Sequence, residues 1–304
     1  MSSPNTLPAS ALTFRERHAS RIRQWRLYAH MFRGSFSSML GLALVLLFLF
    51  LAAFGPWLVP FPQDTLGAVD MANRLQPPGS AHWFGTDEMG ADIFSRVVVG
   101  ARTSLWIGLV ITGLGALIGV PLGIIAGYKG GFVRAAIMRV TELFLAVPGL
   151  ALALAIVAAL GPGITNCVIA LALVWWPGYV RLVEAKTLSV KEELFVESAR
   201  SIGARTPWIL WHHILPNCAS PIIVKISMDM GMAILAAASL GFIGLGARPP
   251  APEWGAMISV ARSYLPDWWW YSFFPGAAIF LTVLGFNLLG DGLRDILDPR
   301  SRER

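Results

Sequence analysis

The chain has 304 residues, of which 55% are hydrophobic and only 14% charged, with a formal net charge of +6. Ordinary soluble domains carry about 25% charged residues, and a mean hydropathy of +0.61 argues against a water-soluble globular protein. A basic chain can signal nucleic-acid binding, but the charges here are segregated between long apolar blocks, which gives the basicity another origin. The two cysteines, Cys167 and Cys218, fall in an apolar block and in a polar stretch. They are too far apart in such a topology to pair, so both read as packing residues.

A hydrocarbon core of about 30 Å needs roughly 20 apolar residues per helix. Six segments meet that requirement, at about 37–57, 103–127, 140–160, 164–181, 221–246 and 271–290. The basic stretch 1–36 contains Arg15, Arg17, Arg21, Arg23, Arg26 and Arg33. The first apolar run follows it without a small-x-small cleavage site and reads as an uncleaved signal anchor. Segment 58–102 links the first two spans, 103–290 holds the other five, and 291–304 is a polar tail. Six spans place 1–36, the 128–139 loop, the polar stretch 181–220 and the tail on one side. That side holds 18 of the 24 Lys/Arg residues. The positive-inside rule makes it cytoplasmic, with basic residues near anionic lipid. Trp268, Trp269, Trp270 and Tyr271 on one side, and Trp175, Trp176 and Tyr179 on the other, read as interfacial belts.

Between the first two spans, Asp87 to Val99 reads as a short amphipathic helix with Asp92 and Arg96 paired at i, i+4. Asp87, Glu88 and Asp92 also pose the question of a metal site, but oxygen-ligand sites need convergence from more of the chain. At the start of the third span, Arg139 and Glu142 are spaced to pair.

The polar stretch 181–220 carries five Lys/Arg and four Glu. Ser189-Val190-Lys191-Glu192 has the form of a capping box, starting a helix that runs to about Ile202. Gly203 stands where a left-handed residue would end it. Leu194, Phe195, Ser198, Ala199 and Ile202 share one face; Glu193, Glu197 and Arg200 share the other, with Glu197 and Arg200 spaced to pair. Thr206-Pro207 reads as N-cap and first residue of a second short helix, containing Trp208, Ile209, Leu210 and Trp211 and ended by Leu215-Pro216. Physical reasoning leaves two options, a hairpin packed on its own bundle or a docking element for a cytoplasmic partner. Within the fifth span, Lys225 and Asp229 lie four apart. Charges at such depth face the bundle interior or a water-filled path, as a self-neutralised pair or as part of a translocation route.

Glu197-Ser198-Ala199, then Gly203, then Leu215-Pro216 resembles the "EAA" loop of ABC-importer permeases, with Ser198 in place of the usual Ala and His213 where Ile is common. Three further stretches resemble the dipeptide/oligopeptide/nickel branch of that family. They are Phe84 to Arg96, with Ala91 in place of the usual Arg; Met138 to Pro148, with Glu142 in place of Asp; and Asn287 to Pro299, where Arg294 with Asp291, Asp295 and Asp298 reads as a surface charge network. The similarity spans roughly 35–300. It implies an all-α membrane protein with the six-helix fold of type I (MetI-like) importer permeases. In it, Glu197, Ser198, Ala199, Gly203, Ala204, Thr206, Pro207, Trp208, Leu215 and Pro216 would form the loop that docks an ATPase. The implied partners are a homologous permease subunit, two ATP-binding subunits and an extracytoplasmic solute-binding protein, in a bacterial inner membrane. The implied cargo is a di- or oligopeptide, or else a nickel chelate, opine, glutathione or glycoside. The branch often has a carboxylate near Ala236, absent here.

No G-x-x-x-x-G-K-[ST] phosphate loop occurs in the sequence, and no nucleophile–base set or His/Cys metal cluster is formed by its motifs. The expectation is a non-enzymatic pore subunit that binds no cofactor or metal itself and draws on ATP through its partners. An ion-coupled transporter would instead need inverted repeats, which the sequence lacks; a non-transporting scaffold is the remaining option.

Overall fold

The computed structural model describes residues 32–248 and 250–297; the five N-terminal arginines Arg15 to Arg26, and Asp298 and Pro299, lie outside them. Among the described residues the chain is helical, with a single isolated bridge between Thr86 and Asp92. The helices are α1 (Phe36–Leu58), α2 (Ile93–Lys129), α3 (Gly131–Leu145), α4 (Gly149–Leu160), α5 (Ile164–Val190), α6 (Leu194–Ser201), α7 (Thr206–Phe242), α8 (Trp254–Ala261) and α9 (Trp269–Leu297). Five of these, α1, α2, α5, α7 and α9, are long and apolar enough to cross a membrane, and α3 with α4 makes a sixth only as a pair bent by 84°.

That bend divides the span expected at 140–160 at Pro148-Gly149. Pro148 cannot donate an N–H and pushes Val147 out of the helical region. The chain therefore breaks at 146–148, and α4 restarts behind Pro148. Helix α3 is exposed along most of its length; only Thr141 is buried.

Helices α2 and α5 pack over a long interface because of a row of glycines. Gly115, Gly119, Gly123 and Gly127 recur every fourth residue and so lie along one face. A Cβ at Gly119 would stand 2.5 Å from the Trp176 carbonyl oxygen, and one at Gly123 2.8 Å from that of Val180. Without a hydrophobic drive between helices in lipid, such close backbone approach is a principal source of association. Trp176 and Tyr179 are buried in this interface, midway along α5, so they are packing residues and not the interfacial belt expected for them.

The segment between α1 and α2 folds as a compact cap at one end of the bundle. The expected helix from Asp87 does not form. Asp92 is instead the N-cap of α2, accepting from the Ser95 N–H at 2.8 Å. Its other carboxylate oxygen meets His82 Nδ1 at 3.0 Å, and its own N–H donates to Asp64 at 2.8 Å. Arg96 accordingly pairs with Asp87, at 3.5 Å, and not with Asp92. Asp87 also accepts from the Met89 and Ala91 N–H groups. Burial raises the Asp87 carboxyl above its ordinary range, opposed by the Arg96 charge. Ala91, where the family pattern has Arg, is buried in this cap.

The same end is closed by 243–248 and 250–268. Trp254 inserts between α1 and α2, donating to the Val97 carbonyl at 2.9 Å and meeting the Phe48 ring edge-on. Glu253 caps α8 with two backbone bonds of 2.8 Å, from Gly255 and Ala256. Its burial raises the carboxyl's pKa, and those two N–H groups oppose the rise. In the aromatic cluster that opens α9, Trp269 is exposed, whereas Trp270 and Tyr271 are buried against the cap, Tyr271 through a hydrogen bond to Glu88.

Candidate functional site

The opposite end of the bundle carries the polar hairpin. Helix α5 runs through Ser189 to Val190, so the expected capping box does not exist. Glu193 occupies the N-cap of α6 and makes no side-chain cap. The C-terminus matches expectation: Gly203 has φ +79°, its N–H bonds to Arg200, and the Ala204 N–H bonds to Ala199 at 3.0 Å. A left-handed glycine there turns the chain back toward α7.

Only one side of α6 is held by the bundle. Val196 and Ala199 are buried, together with Ile209 and Ile214. Leu194 and Ile202, expected on the same apolar face, are 78% and 84% exposed. They sit where the chain begins and ends the helical turn pair, beyond the stripe that meets α5 and α7. Glu197 and Ser198 are exposed; the Ser198 hydroxyl bonds back to Leu194 O. Arg200 makes no ion pair with Glu197. It reaches Tyr128 at the end of α2, with Nε 3.2 Å from the phenol oxygen and the guanidinium 4.9 Å from the ring. That contact ties α6 to α2.

Thr206 and Pro207 open α7 one residue earlier in register than expected, with Arg205 at the N-cap. Leu215-Pro216 does not end this helix. A π-helical turn at Leu210–Ile214 precedes it, widening the hydrogen-bond ladder where the proline ring and missing N–H would otherwise break it. The helix then continues to Phe242. Trp208 and Trp211 are exposed, and the His212 ring stacks on Trp208. In the hairpin Glu197, Ser198, Gly203, Thr206, Pro207 and Trp208 are each exposed, and Pro207 also lines a groove with Leu215. Ala199 is buried and Ala204 packs into the supporting core. Leu215 and Pro216 lie farther along α7 and face two grooves.

The larger groove, about 960 Å³, runs along α7 between α5 and α9. Asn217, Lys225, Asp229 and Met232 line it from α7, Lys186 from α5, and Asn287 and Arg294 from α9. Lys225 and Asp229 pair as their spacing predicts, at 3.1 Å, and Lys225 Nζ lies 5.0 Å above the Tyr179 ring. Among the described residues Arg294 pairs with neither Asp291 nor Asp295. A second ion pair, Arg134 with buried Glu184 at 2.5 Å, fastens α3 to α5. Sequence reasoning missed it because its members are 50 residues apart, although Glu184 on an apolar helix face was a signal. Arg139 and Glu142 approach only to 4.0 Å on the exposed surface. Cys167 and Cys218 are free and buried.

A bent-span helical bundle with an exposed hairpin at one end defines a class. Solved structures of the MetNI methionine ABC transporter in inward-facing states share this fold. One covers 67% of this chain and 96% of its own at a TM-score of 0.56 and 16% identity, and another has a TM-score of 0.54. The family follows from sequence. Residues 119–303 match the family described as binding-protein-dependent transport system inner membrane component, and 23–78 match the N-terminal TM domain of oligopeptide transport permease C. The chain belongs to this family, as a multi-pass membrane permease and not an enzyme. Curated relatives agree. The probable D,D-dipeptide transport system permease protein DdpC of Escherichia coli K12 is 46% identical over 89% of this chain and 90% of its own. The dipeptide permease DppC of Alkalihalophilus pseudofirmus is 43% identical over 92% and 91%. The glutathione permease GsiD of Pectobacterium atrosepticum is 48% identical over 84% of each.

Proposed function

We propose that this chain is one half of the pore of an ATP-driven importer for di- or oligopeptides. A homologous permease supplies the other half. Of two ATPase subunits, one docks on the 191–208 hairpin and the other on the homologous permease, and a solute-binding protein delivers cargo on the side of the 59–92 cap. The hairpin and both termini face the cytoplasm, in keeping with the clustering of Lys/Arg on that side.

The observation that carries the docking proposal is the exposure of Leu194 and Ile202 beside Glu197 on a hairpin whose other side is firmly anchored. Apolar residues ringed by charge suit a protein interface. Arg200 on Tyr128 gives movement of the hairpin a direct route to α2. Closure of the ATPases would thereby shift the bundle between its two access states. Lys225 and Asp229 lie on the groove that would form this subunit's share of the path. Glutathione is a second cargo reading, favoured by the GsiD relatives. Co-reconstitution with the four partner chains tests both: ATP-dependent accumulation of labelled dialanine supports the first, and accumulation of glutathione but no dipeptide would replace it with the second.

A further inference from the structure

The groove along α7 has a composition that the pore role alone does not require. Its α7 wall is one helical face: Asn217, Pro221, Lys225, Met228 or Asp229, and Met232 recur at intervals of three or four. Among the described residues three cations line it, Lys186, Lys225 and Arg294, against one carboxylate, Asp229. The buried Tyr179 side chain lies behind Lys225, and both oxygens of the Asp229 carboxylate face Lys225 Nζ, at 3.1 and 3.2 Å. Beyond the charge cluster stand two methionines, Met228 and the half-exposed Met232.

We infer that this groove is a solute-contact site in which Lys225 reads the free carboxylate of a short peptide while Met228 and Met232 accommodate its variable side chains. This rests on the peptide-importer reading and deepens it. Asp229 and the Tyr179 ring hold the ammonium in place before solute arrives. An incoming carboxylate exchanges with Asp229 as partner to Nζ, and the excess of cations along the wall favours that exchange. No bond is made or broken. The methionines suit the task because an unbranched, polarisable thioether repacks around different shapes. A purely structural Lys225–Asp229 pair would need neither the surplus cations nor adaptable neighbours.

The test uses the complete importer in proteoliposomes, with dialanine and dileucine as probes at concentrations that saturate the binding protein. The double variant K225M/D229N removes both charges together, a change that a merely structural pair tolerates well. The expected result is a fall of at least tenfold in the uptake rate. K225R, which keeps the cation, should retain uptake within threefold. Uptake within twofold of the unmodified importer for K225M/D229N overturns the proposal. A second measurement is independent of that variant's assembly. M232C places a thiol on the groove while native Cys167 and Cys218 stay buried, and dialanine should slow its alkylation at least threefold during turnover. An unchanged alkylation rate would also overturn the proposal. If the unmodified importer accumulates neither dipeptide, the peptide reading fails and takes this inference with it, a result distinct from either variant outcome.

Discussion

Replacing Gly119 with Ala should weaken the bundle by an amount the packing predicts. The added methyl would lie 2.5 Å from the Trp176 carbonyl oxygen and from the Tyr179 Cβ. Favourable contact needs about 3.5 Å, so α2 and α5 must separate by about 1 Å. A gap of that size forfeits about a quarter to a half of the dispersion energy of the facing atoms. Overpacked sites lose about 1–3 kcal/mol, and Ala returns about 0.5–1 kcal/mol through backbone entropy. The expected net loss is about 0–2.5 kcal/mol, centred on about 1 kcal/mol. Gly113, six residues earlier on the same helix, supplies the control: nothing lies within 4 Å of its added Cβ, so G113A should be neutral or slightly stabilising. Equilibrium unfolding in mixed micelles with increasing SDS, followed by tryptophan fluorescence, measures both variants. Equal unfolding midpoints for G119A and G113A would refute the claim that the glycine row sets the helix separation.

Other outcomes follow from the same structure. R134M leaves Glu184 buried without its partner, and should destabilise the protein by about 1–3 kcal/mol given the half-exposed arginine; R134K, keeping the charge, should recover part of the loss in the same SDS titration. G203A forces a side chain into φ +79° at a cost of about 1–2 kcal/mol, and G203N should cost less, read as protease sensitivity of the 191–208 hairpin. The Glu253 carboxyl is raised on folding by burial, so the folded protein holds its proton to higher pH than the unfolded chain does. That contribution is favourable below the ordinary glutamate range and is lost as pH rises from there through the raised folded value. E253Q should flatten this downward slope while lowering stability at acid pH by about 1 kcal/mol for the weakened cap; an unchanged slope would contradict the assignment.

The long helices were legible because span length and hydropathy answer to bilayer thickness, and α1 ends within one residue of its expected limits. Their extensions were not: α2 begins ten residues early because Asp92, read as the partner of Arg96, is its cap. The glycines recur every fourth residue in the sequence, but sequence reasoning passed over them because only the facing backbone gives the row meaning. In the hairpin, Gly203 announced the turn correctly because few residues but glycine adopt that conformation. The capping box at Ser189 misled because a helix already entering from the membrane needs no new start. The 84° break was foreshadowed by Pro148, whereas its size depends on how α4 meets α5. Lys225 and Asp229 were legible as a pair from spacing alone, while the surrounding groove draws on three helices separated by many residues.

The central claim is that the anchored, half-apolar hairpin grips an ATP-hydrolysing partner. It is tested most directly by purifying the tagged full-length complex with and without the paired substitution L194D/I202D. Both residues are exposed, so the fold should persist and the partner permease should co-purify. The account predicts two ATPase subunits per complex for the unmodified protein and, for the variant, loss of the one held by this hairpin together with loss of ATP-dependent uptake. Full retention of ATPase subunits and uptake by L194D/I202D would contradict it.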